Sequence, residues 1–352
     1  NTFILIISIY VPLIFFSIFL LSKNKVWKRE FFTDISEKIE SFENGYSPLF
    51  YPAQLRSFSE NYEIYPLGTL PNKNTFYCNE GYGLIKFKSD RFGLRNNDNN
   101  WNNLLNQKNI FFLGDSFVQG ACIEDEFVIS NFINKKTQIN TLNLGTGGNG
   151  PYEYMNLLNS IIKPALTYSK KNNYVVLIFY SFDGAFENPK IKNLLKYSKN
   201  IVSKTDTGEI FPNKKYTESI QKLIYEKYSY SDKETKNKIR NKKLNPLYQI
   251  FTLVPIRQII KIARTPEIKY DPKSSIESIT LLSQVCKNKC TPIVAYIPHS
   301  FYWEPKIKWE KTYKETLKNK SENLNINFVD GAKVIDRNNL DYFAPSGNHF
   351  SK

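Results

Sequence analysis

The clearest pattern along the chain is a series of short apolar runs that end at turn residues. Runs of this kind are typical of parallel strands buried on both faces of a sheet. Stretches with helical character alternate with them, and this alternation predicts an α/β fold with a parallel sheet covered on both sides. The predicted strands are 109–114, 139–145, 174–180, 291–298 and 326–331, and the predicted helices between them are 151–170, 273–287 and 305–322.

The chain opens on a second kind of pattern, an uncharged and almost wholly apolar stretch over residues 2–22. It is long enough to cross a bilayer as a helix, too long for the core of a signal peptide, and followed by no small-residue cleavage site. We therefore predict a single transmembrane helix. Four basic residues follow between Lys23 and Arg29, and this charge by itself would put the rest of the chain on the cytoplasmic side. We expect truncation at both ends, and charges upstream of Asn1 would then compete in setting the orientation.

The rest of the chain divides by composition. Residues 23–105 are polar, aromatic and turn-rich, and we interpret them as a juxtamembrane and lead-in segment with short strands. Residues 106–352 contain the alternating pattern. More than a hundred residues separate the third and fourth predicted strands, too many for a simple crossover, so we predict a mainly helical insertion at about 187–270.

The insertion carries most of the net charge. Residues 190–266 hold 18 Lys and Arg against 6 Asp and Glu, a net of +12 out of +15 for the whole chain. Such a surface is either a solvated Lys-rich face or a contact for an anionic partner such as a lipid surface or an acidic glycan. Since no nucleic-acid-binding motif accompanies the charge, we expect no nucleic-acid partner.

Composition also excludes some chemistry. With 2 His in the chain, a metal enzyme with several His ligands is excluded, and we expect neither a metal nor another cofactor. The four cysteines have no second close pair to build a zinc ribbon, and we expect each to be buried or unpaired. Disulfides are the alternative if the domain lies outside the cytoplasm, but the sequence does not choose between pairings of Cys78, Cys122, Cys286 and Cys290.

Candidate chemistry follows the ends of the predicted strands, where parallel sheets bind ligands. Ser116 comes directly after the first strand as a candidate nucleophile, although Asp115 or Ser116 could instead cap the next helix. The glycine-rich segment 145–150 follows the second strand and could direct backbone N–H groups at a substrate. Pro151 comes directly after it, which disfavours a dinucleotide-binding loop.

The candidate base is His349, which lies in a polar loop after the last strand. Alone it would more often be an ordinary loop residue. His299 also follows a strand, and we interpret it as structural. The neighbouring aromatic residues 301–303 could stack on a sugar or simply pack.

These motifs resemble those of the SGNH/GDSL hydrolase superfamily, in its bacterial, membrane-anchored type. The resemblance covers roughly residues 110–350 and implies a flavodoxin-like three-layer α/β/α fold with Ser116 as nucleophile, His349 as base and an oxyanion hole from the backbone of Ser116 and Gly148. It also implies a catalytic domain on the extracytoplasmic side, contrary to the flanking charge. The motifs are Gly114-Asp115-Ser116-Phe117, the glycines at 145 and 148 after Asn143, the His349 loop, and the preceding segment 90–96, Asp-Arg-Phe-Gly-Leu-Arg-Asn.

The sequence departs from the family's pattern at two positions. Phe182 stands where the family has an oxyanion-binding Asn, and Ser346 stands where it has the acid that orients the His. Either loss would lower the rate of an acyl-transfer reaction. The candidate replacements are Asn149 or Asn188 as donor and Asp183 or Asp341 as acid, with Asp115 as a further supporting carboxylate.

The sequence therefore favours a membrane-anchored SGNH-like serine esterase or O-acyl-transfer enzyme that acts on acyl esters, with cell-envelope glycans or lipids as expected substrates. The departures at Phe182 and Ser346 favour the alternative, a catalytically impaired SGNH-fold protein that binds a glycan or a protein partner.

Overall fold

The computed structural model has a helix at the start of the chain and an α/β domain after it. Helix α1 spans Thr2–Lys23, with Pro12 inside it. No helix in the described part of the chain is both long enough and apolar enough to cross a membrane, so the transmembrane role predicted for residues 2–22 lacks support and stays a prediction. The structure describes residues 2–23, 44–52, 63–169, 172–184, 191–192, 195–198, 201–205, 209–225, 253, 256, 270–299, 308–335, 342, 344 and 349.

Three short strands form a small sheet in the lead-in segment. Strand β1, Ser47–Pro48, pairs in parallel with β2, Asn74–Phe76, and β2 pairs antiparallel with β3, Lys86–Lys88. A four-residue helix α2 follows at Asn99–Asn102. The short strands expected in this segment are therefore present.

The segment 90–96 fastens the lead-in to the main sheet. The buried carboxylate of Asp90 accepts hydrogen bonds from Asn96 Nδ2 and Trp101 Nε1, both at 2.8 Å. The Asn96 amide in turn bonds both the backbone N and the backbone O of Asn143, at 2.7 and 2.9 Å. The lead-in is thus fixed to the end of the strand that precedes the glycine-rich segment.

The main sheet has five parallel strands, which confirms the prediction of a parallel α/β sheet. They are β4 Asn109–Leu113, β5 Asn140–Asn143, β6 Asn173–Tyr180, β9 Cys290–Ile297 and β10 Asn327–Asp330. Across the sheet their order is β5-β4-β6-β9-β10. If these five strands are numbered 1 to 5 along the chain, the order is 2-1-3-4-5, as in flavodoxin-like sheets. In such sheets the binding site lies beside the first strand, which here is β4, because the order reverses there.

Side chains of successive strand residues enter two different cores because they alternate between the faces of the sheet. Phe111 and Leu113 of β4 join the large core, whereas Phe112 joins a smaller one. Helices therefore cover both faces. Those that contribute to the large core are α5 Pro151–Leu157, a π-helical turn at Leu158–Ile162, α6 Lys163–Tyr168, α8 Lys273–Cys286 and α9 Lys308–Asn323, and those beside the smaller core are α3 Ser116–Gln119 and α4 Ile129–Thr137.

Part of the basic insertion is described. It contains a hairpin of β7, Val202–Lys204, and β8, Ile210–Pro212, followed by a helix, α7, at 214–225. Both pieces contact the lead-in segment: Arg91 Nη1 donates to the Ile210 carbonyl at 3.2 Å, and Leu67 N donates to the Tyr216 hydroxyl at 3.0 Å. Residues 226–252 lie outside the described part, so a mainly helical insertion stays a prediction.

All four cysteines are paired, which is the alternative that the sequence left open: none is unpaired, and Cys122 and Cys286 are also buried. The pairs are Cys78–Cys122 and Cys286–Cys290. The first joins the lead-in segment to the loop after α3 across 44 residues of sequence, and tertiary packing alone brings its ends together. The second closes a local turn between α8 and β9.

Candidate active site

The turn from β4 into α3 holds Ser116 at the carboxyl edge of the sheet. Asp115 caps the short helix, since its Oδ1 accepts a hydrogen bond from Phe117 N at 2.9 Å. A side chain at Gly114 would place its Cβ 2.3 Å from the Val118 side chain, so the close approach of α3 to the strand requires glycine there. Both interpretations of this turn therefore apply: Asp115 is a helix cap, and Ser116 faces the candidate site.

His349, which follows the last strand in the sequence, lies beside Ser116. The imidazole Nε2 lies 2.8 Å from Ser116 Oγ, within hydrogen-bond distance. The ring of Phe117 packs against the imidazole with centroids 5.0 Å apart, and the His349 carbonyl accepts a hydrogen bond from Ala344 N at 2.9 Å. Two residues that sequence reasoning singled out separately thus meet in one geometry.

Glu80 is the third member of a hydrogen-bonded series that runs from Ser116 through His349, which we call the relay. Sequence reasoning missed it. Its Oε1 lies 2.7 Å from His349 Nδ1, and its Oε2 accepts from the His349 backbone N at 3.4 Å. A carboxylate at Nδ1 favours the tautomer with its proton on Nδ1, which leaves the Nε2 lone pair facing the Ser116 hydroxyl. The arrangement is Ser–His–Glu, with a sequence separation of 269 residues between the last two.

Asp183, named from the sequence as a candidate acid, lies elsewhere. Its Oδ2 accepts hydrogen bonds from the Tyr154 hydroxyl and from Tyr180 N, both at 3.0 Å. Burial raises the pKa of Asp183 well above its usual range, and the charge of Asp115 adds to the effect. Burial likewise raises the pKa of Asp115 to about 6. The hypothesis that Asp183 orients His349 was wrong, and the other positions weighed for these roles, Asn188, Asp341 and Ser346, lie outside the described residues.

The backbone around Gly148 forms the opposite side of the site. Gly148 has a φ of +74°, a left-handed conformation that favours glycine, and it lines the same cavity as Ser116. Within the described residues, neither the Ser116 N–H nor the Gly148 N–H has a hydrogen-bond acceptor. The neighbouring loop is held by Gln119 Oε1, which accepts from Gly147 N at 2.7 Å and from the Tyr77 hydroxyl at 2.8 Å.

Of the two side chains considered as a third oxyanion donor, Asn149 does not line the cavity, and Asn188 lies outside the described residues. Asn149 is buried, and its Oδ1 has no hydrogen-bond partner among the described residues. Phe182 packs edge-on against His299 with centroids 4.7 Å apart, and against Trp309 at 5.7 Å. Burial lowers the pKa of His299 to about 4, so its ring is neutral near pH 7. These contacts agree with a structural role for His299.

A cavity of about 370 Å³ opens in front of the relay. This is within the range of small-molecule sites. Two tyrosines, an alanine and a disulfide are among the residues that line it, and no Lys or Arg lines the cavity among the described residues. Its lining residues are Tyr51, Tyr77, Cys78, Glu80, Ser116, Ala121, Cys122, Gly147, Gly148 and His349.

One group of side chains in the described part of the chain has the spacing of a metal site. Ligand atoms of Glu80, Cys122 and His349 lie within 4.8 Å of one another. The sulfur of Cys122 is bonded to Cys78, however, and a disulfide sulfur is not the thiolate that metals bind. In the oxidised protein only the carboxylate and the imidazole remain, and they bond each other.

Comparisons with known proteins give one structural neighbour to report. A member of the lipolytic G-D-S-L family from Veillonella parvula DSM 2008 matches with 12% sequence identity, over 70% of this chain and 90% of its own, at a TM-score of 0.35. No protein-family model matches the chain. No curated protein matches it either.

Proposed function

We propose that this protein is a serine esterase or O-acyl-transfer enzyme of the SGNH/GDSL kind. The observation that carries the proposal is the continuous relay from Ser116 Oγ to His349 Nε2 at 2.8 Å and from His349 Nδ1 to Glu80 Oε1 at 2.7 Å. Nucleophile, base and orienting carboxylate in this order are the arrangement that activates a serine hydroxyl.

The proposed reaction begins when Ser116 Oγ attacks the ester carbonyl and its proton passes to His349 Nε2. The imidazolium that forms is stabilised by Glu80. Backbone N–H groups of Ser116 and Gly148 donate to the oxyanion of the tetrahedral intermediate. His349 then returns the proton to the leaving alcohol, which departs and leaves an acyl ester on Ser116. A water molecule or an acceptor hydroxyl then gives its proton to His349 and attacks the carbonyl of that ester. As the bond between the acyl group and Ser116 Oγ breaks, His349 returns the proton to Ser116 Oγ, which releases a carboxylic acid or a new ester and regenerates the serine.

We further propose an extracytoplasmic location and acyl esters of envelope glycans or lipids as substrates. Two disulfides support the location, since such bonds persist in oxidising compartments. Residues 190–266 carry a net charge of +12, which would attract an anionic envelope surface, and this supports a substrate that lies on such a surface. Anchoring through residues 2–22 belongs to the same proposal and rests on their sequence.

A fluorophosphonate probe tests the proposal, because it phosphonylates a serine only when that serine is activated. We expect labelling and 4-nitrophenyl acetate hydrolysis in the wild type, and loss of both in Ser116→Ala and His349→Gln. The matched control is His299→Gln, which changes the other histidine of the chain outside the cavity. Circular dichroism checks that each variant is folded.

The absence of Ser116-dependent labelling in folded wild-type protein would overturn the enzyme proposal. That result would favour the second candidate, a non-catalytic protein that binds a glycan or a protein partner in the cavity. The observation behind this candidate is Phe182, which packs against His299 at the position where the family has its oxyanion-binding Asn.

A further inference from the structure

The residue that orients the base lies outside the main sheet, in the loop between β2 and β3. This loop closes on itself through Tyr77 N to the Ile85 carbonyl at 2.8 Å and Ile85 N to the Cys78 carbonyl at 3.1 Å. At its tip, Asn79 Oδ1 accepts from Gly81 N at 2.9 Å and from Gly83 N at 3.2 Å. These bonds shape the loop around Glu80 but do not attach it to the nucleophile.

A disulfide and a hydrogen bond attach the loop to the chain that follows Ser116. One is the Cys78–Cys122 disulfide, with Cα atoms 5.0 Å apart. The other is the hydrogen bond from the Tyr77 hydroxyl to Gln119 Oε1 at 2.8 Å. Cys78 precedes Glu80 by two residues and Cys122 follows Ser116 by six, so the disulfide is the shortest covalent path between the carboxylate and the nucleophile.

The Cys122 end of this path is held rigidly. Cys122 has a φ of +60°, a left-handed conformation that a non-glycine residue keeps only where the surroundings fix it. The buried guanidinium of Arg95 supplies that fixation, because it donates to the carbonyls of Gly120 at 2.5 Å and Ile123 at 2.8 Å. A rigid anchor at Cys122 transmits a defined position through the disulfide to Cys78.

Noncovalent packing also helps to hold the loop. Tyr77, Ile85 and Phe87 are buried and form a small apolar cluster with Ala121 and Cys122, separate from the large core of the domain. The disulfide adds a covalent constraint between the loop and the segment after α3.

We propose that the Cys78–Cys122 disulfide is the positioning device of the Glu80 carboxylate, so that catalysis depends on the oxidation state of this cysteine pair. The inference rests on the proposed esterase or acyl-transfer function. Reduction by a dithiol such as dithiothreitol transfers two electrons and two protons to the disulfide, which gives two thiols, while the dithiol becomes a cyclic disulfide. The loop then moves away from His349, and the imidazole loses its orienting partner. Cys78 is half-buried and lines the cavity together with the buried Cys122, so we expect a small reductant to attack the disulfide from the substrate side.

The second disulfide provides the matched control. Cys286–Cys290 spans four residues between α8 and β9 and does not line the cavity. The paired variants Cys78→Ser/Cys122→Ser and Cys286→Ser/Cys290→Ser thus make the same chemical change at two places. Assays contain EDTA, because the reduced Cys122 thiolate together with Glu80 and His349 could bind zinc and inhibit by another route.

We expect reduction of the wild type, and the Cys78→Ser/Cys122→Ser change, to lower kcat for ester hydrolysis roughly tenfold or more, in the range typical of lost positioning partners. Cys286→Ser/Cys290→Ser keeps the wild-type rate under oxidising conditions. In Glu80→Gln, reduction causes no further loss, because the disulfide acts through Glu80. The inference would be overturned if kcat of the wild type did not change on reduction. It would also be overturned if reduction lowered kcat of Glu80→Gln by the same factor as kcat of the wild type.

A spectroscopic readout separates this inference from the proposed function. With 2 His in the chain, ¹⁵N-histidine NMR gives two sets of ring signals, and His349→Gln assigns them. In oxidised protein we expect His349 as the Nδ1–H tautomer, and after reduction a mixture with the Nε2–H tautomer, whether or not the protein hydrolyses esters. An unchanged His349 signal on reduction would reject the positioning role, including in a protein that shows no Ser116-dependent labelling. Reduction of already folded wild type avoids dependence on a variant that fails to fold.

Discussion

The candidate site has two halves that differ in how they are held. Ser116 and Gly148 follow adjacent parallel strands, β4 and β5, and the hydrogen bonds and cores of the main sheet fix them. Glu80 and His349 form the other half and bond each other, and the Cys78–Cys122 disulfide joins the loop that holds Glu80 to the segment after α3. The sheet-borne half depends on the fold as a whole, whereas the loop-borne half depends on a few local links that can be removed singly.

The largest expected effect comes from the loop-borne half. Glu80→Gln keeps the shape of the side chain but removes the charge that selects the His349 tautomer, so we expect kcat to fall by roughly 10²- to 10⁴-fold with little change in stability. Steady-state ester hydrolysis measures the loss.

Glu126→Gln is the control, since Glu126 is exposed in the 3₁₀-helical turn Asp125–Phe127 and does not line the cavity. Equal rates for wild type and Glu80→Gln would mean that His349 needs no carboxylate partner.

Asp90→Asn tests the hydrogen bonds that attach the lead-in segment to the main sheet, which holds Ser116 and Gly148. The Asp90 carboxylate accepts from Phe92 N, Leu94 N, Asn96 Nδ2 and Trp101 Nε1 at 2.8 to 2.9 Å. An amide cannot accept all four, so buried donors lose their partner, and we expect the free energy of unfolding to fall by about 3 kcal/mol. Urea denaturation measures the change.

Asp271→Asn is the matched control. Asp271 Oδ1 accepts a hydrogen bond from Lys273 N, and the oxygen of an Asn side chain can still accept it. Below the unfolding transition Asp90→Asn should keep its catalytic rate. A large loss of rate without loss of stability would show that the lead-in acts on the chemistry itself.

Gly147→Ala tests how closely the glycine loop is packed. A Cβ at Gly147 would lie 2.3 Å from the Tyr51 ring, whereas one at Gly150 meets only Glu153 Oε2 at 3.7 Å. Either the ring or the backbone beside Gly148 must move, and we expect a loss in kcat/KM of roughly 10- to 100-fold. Gly150→Ala should stay near the wild-type rate, and similar losses in both variants would contradict this packing argument.

The smallest effect concerns pH and a buried acid outside the relay. Burial raises the pKa of Glu310 to about 7, although its Oε2 accepts from Ser181 Oγ at 3.0 Å. Between the ordinary carboxyl pKa and pH 7 the folded state therefore binds more protons than the unfolded state, so stability falls as pH rises.

We expect Glu310 to contribute a decrease of about 2 kcal/mol in the free energy of unfolding between pH 5 and pH 7. In Glu310→Gln the free energy of unfolding should change less over this pH range, by that amount, and the variant should keep its esterase activity. Parallel stability curves for the two proteins would show that Glu310 titrates normally.

Comparison of the sequence expectations with the structure shows where local information sufficed. The five apolar runs coincide with β4, β5, β6, β9 and β10 to within one or two residues at each end. Ser116 and the glycine-rich segment 145–150 were predicted because each directly follows a strand, and the geometry of a parallel sheet brings such positions to one edge. The roles of Gly148 and His349 came from the family resemblance. Hydrophobic periodicity and turn chemistry act over a few residues, so the sequence alone carries them.

Glu80 and the cysteine pairing could not be found in this way. Glu80 lies in an irregular loop, and its contact with His349 joins positions 269 residues apart. The one available signal was Cys78, two residues before it, because a bond from Cys78 to Cys122 would have put Glu80 near Ser116. The sequence left the partners of Cys78 open.

The sequence by itself determined the parallel sheet, the serine at the end of its first strand, the glycine segment after the second, and a base among 2 histidines. Only the tertiary structure decided that Glu80 is the carboxylate at His349, and that Cys78–Cys122 ties its loop to the segment after α3. The physical reason is the range of the interactions. Strand and turn preferences are set by neighbouring residues, whereas the meeting of distant loops is set by packing, disulfide bonding and hydrogen bonds that exist only after the chain has folded.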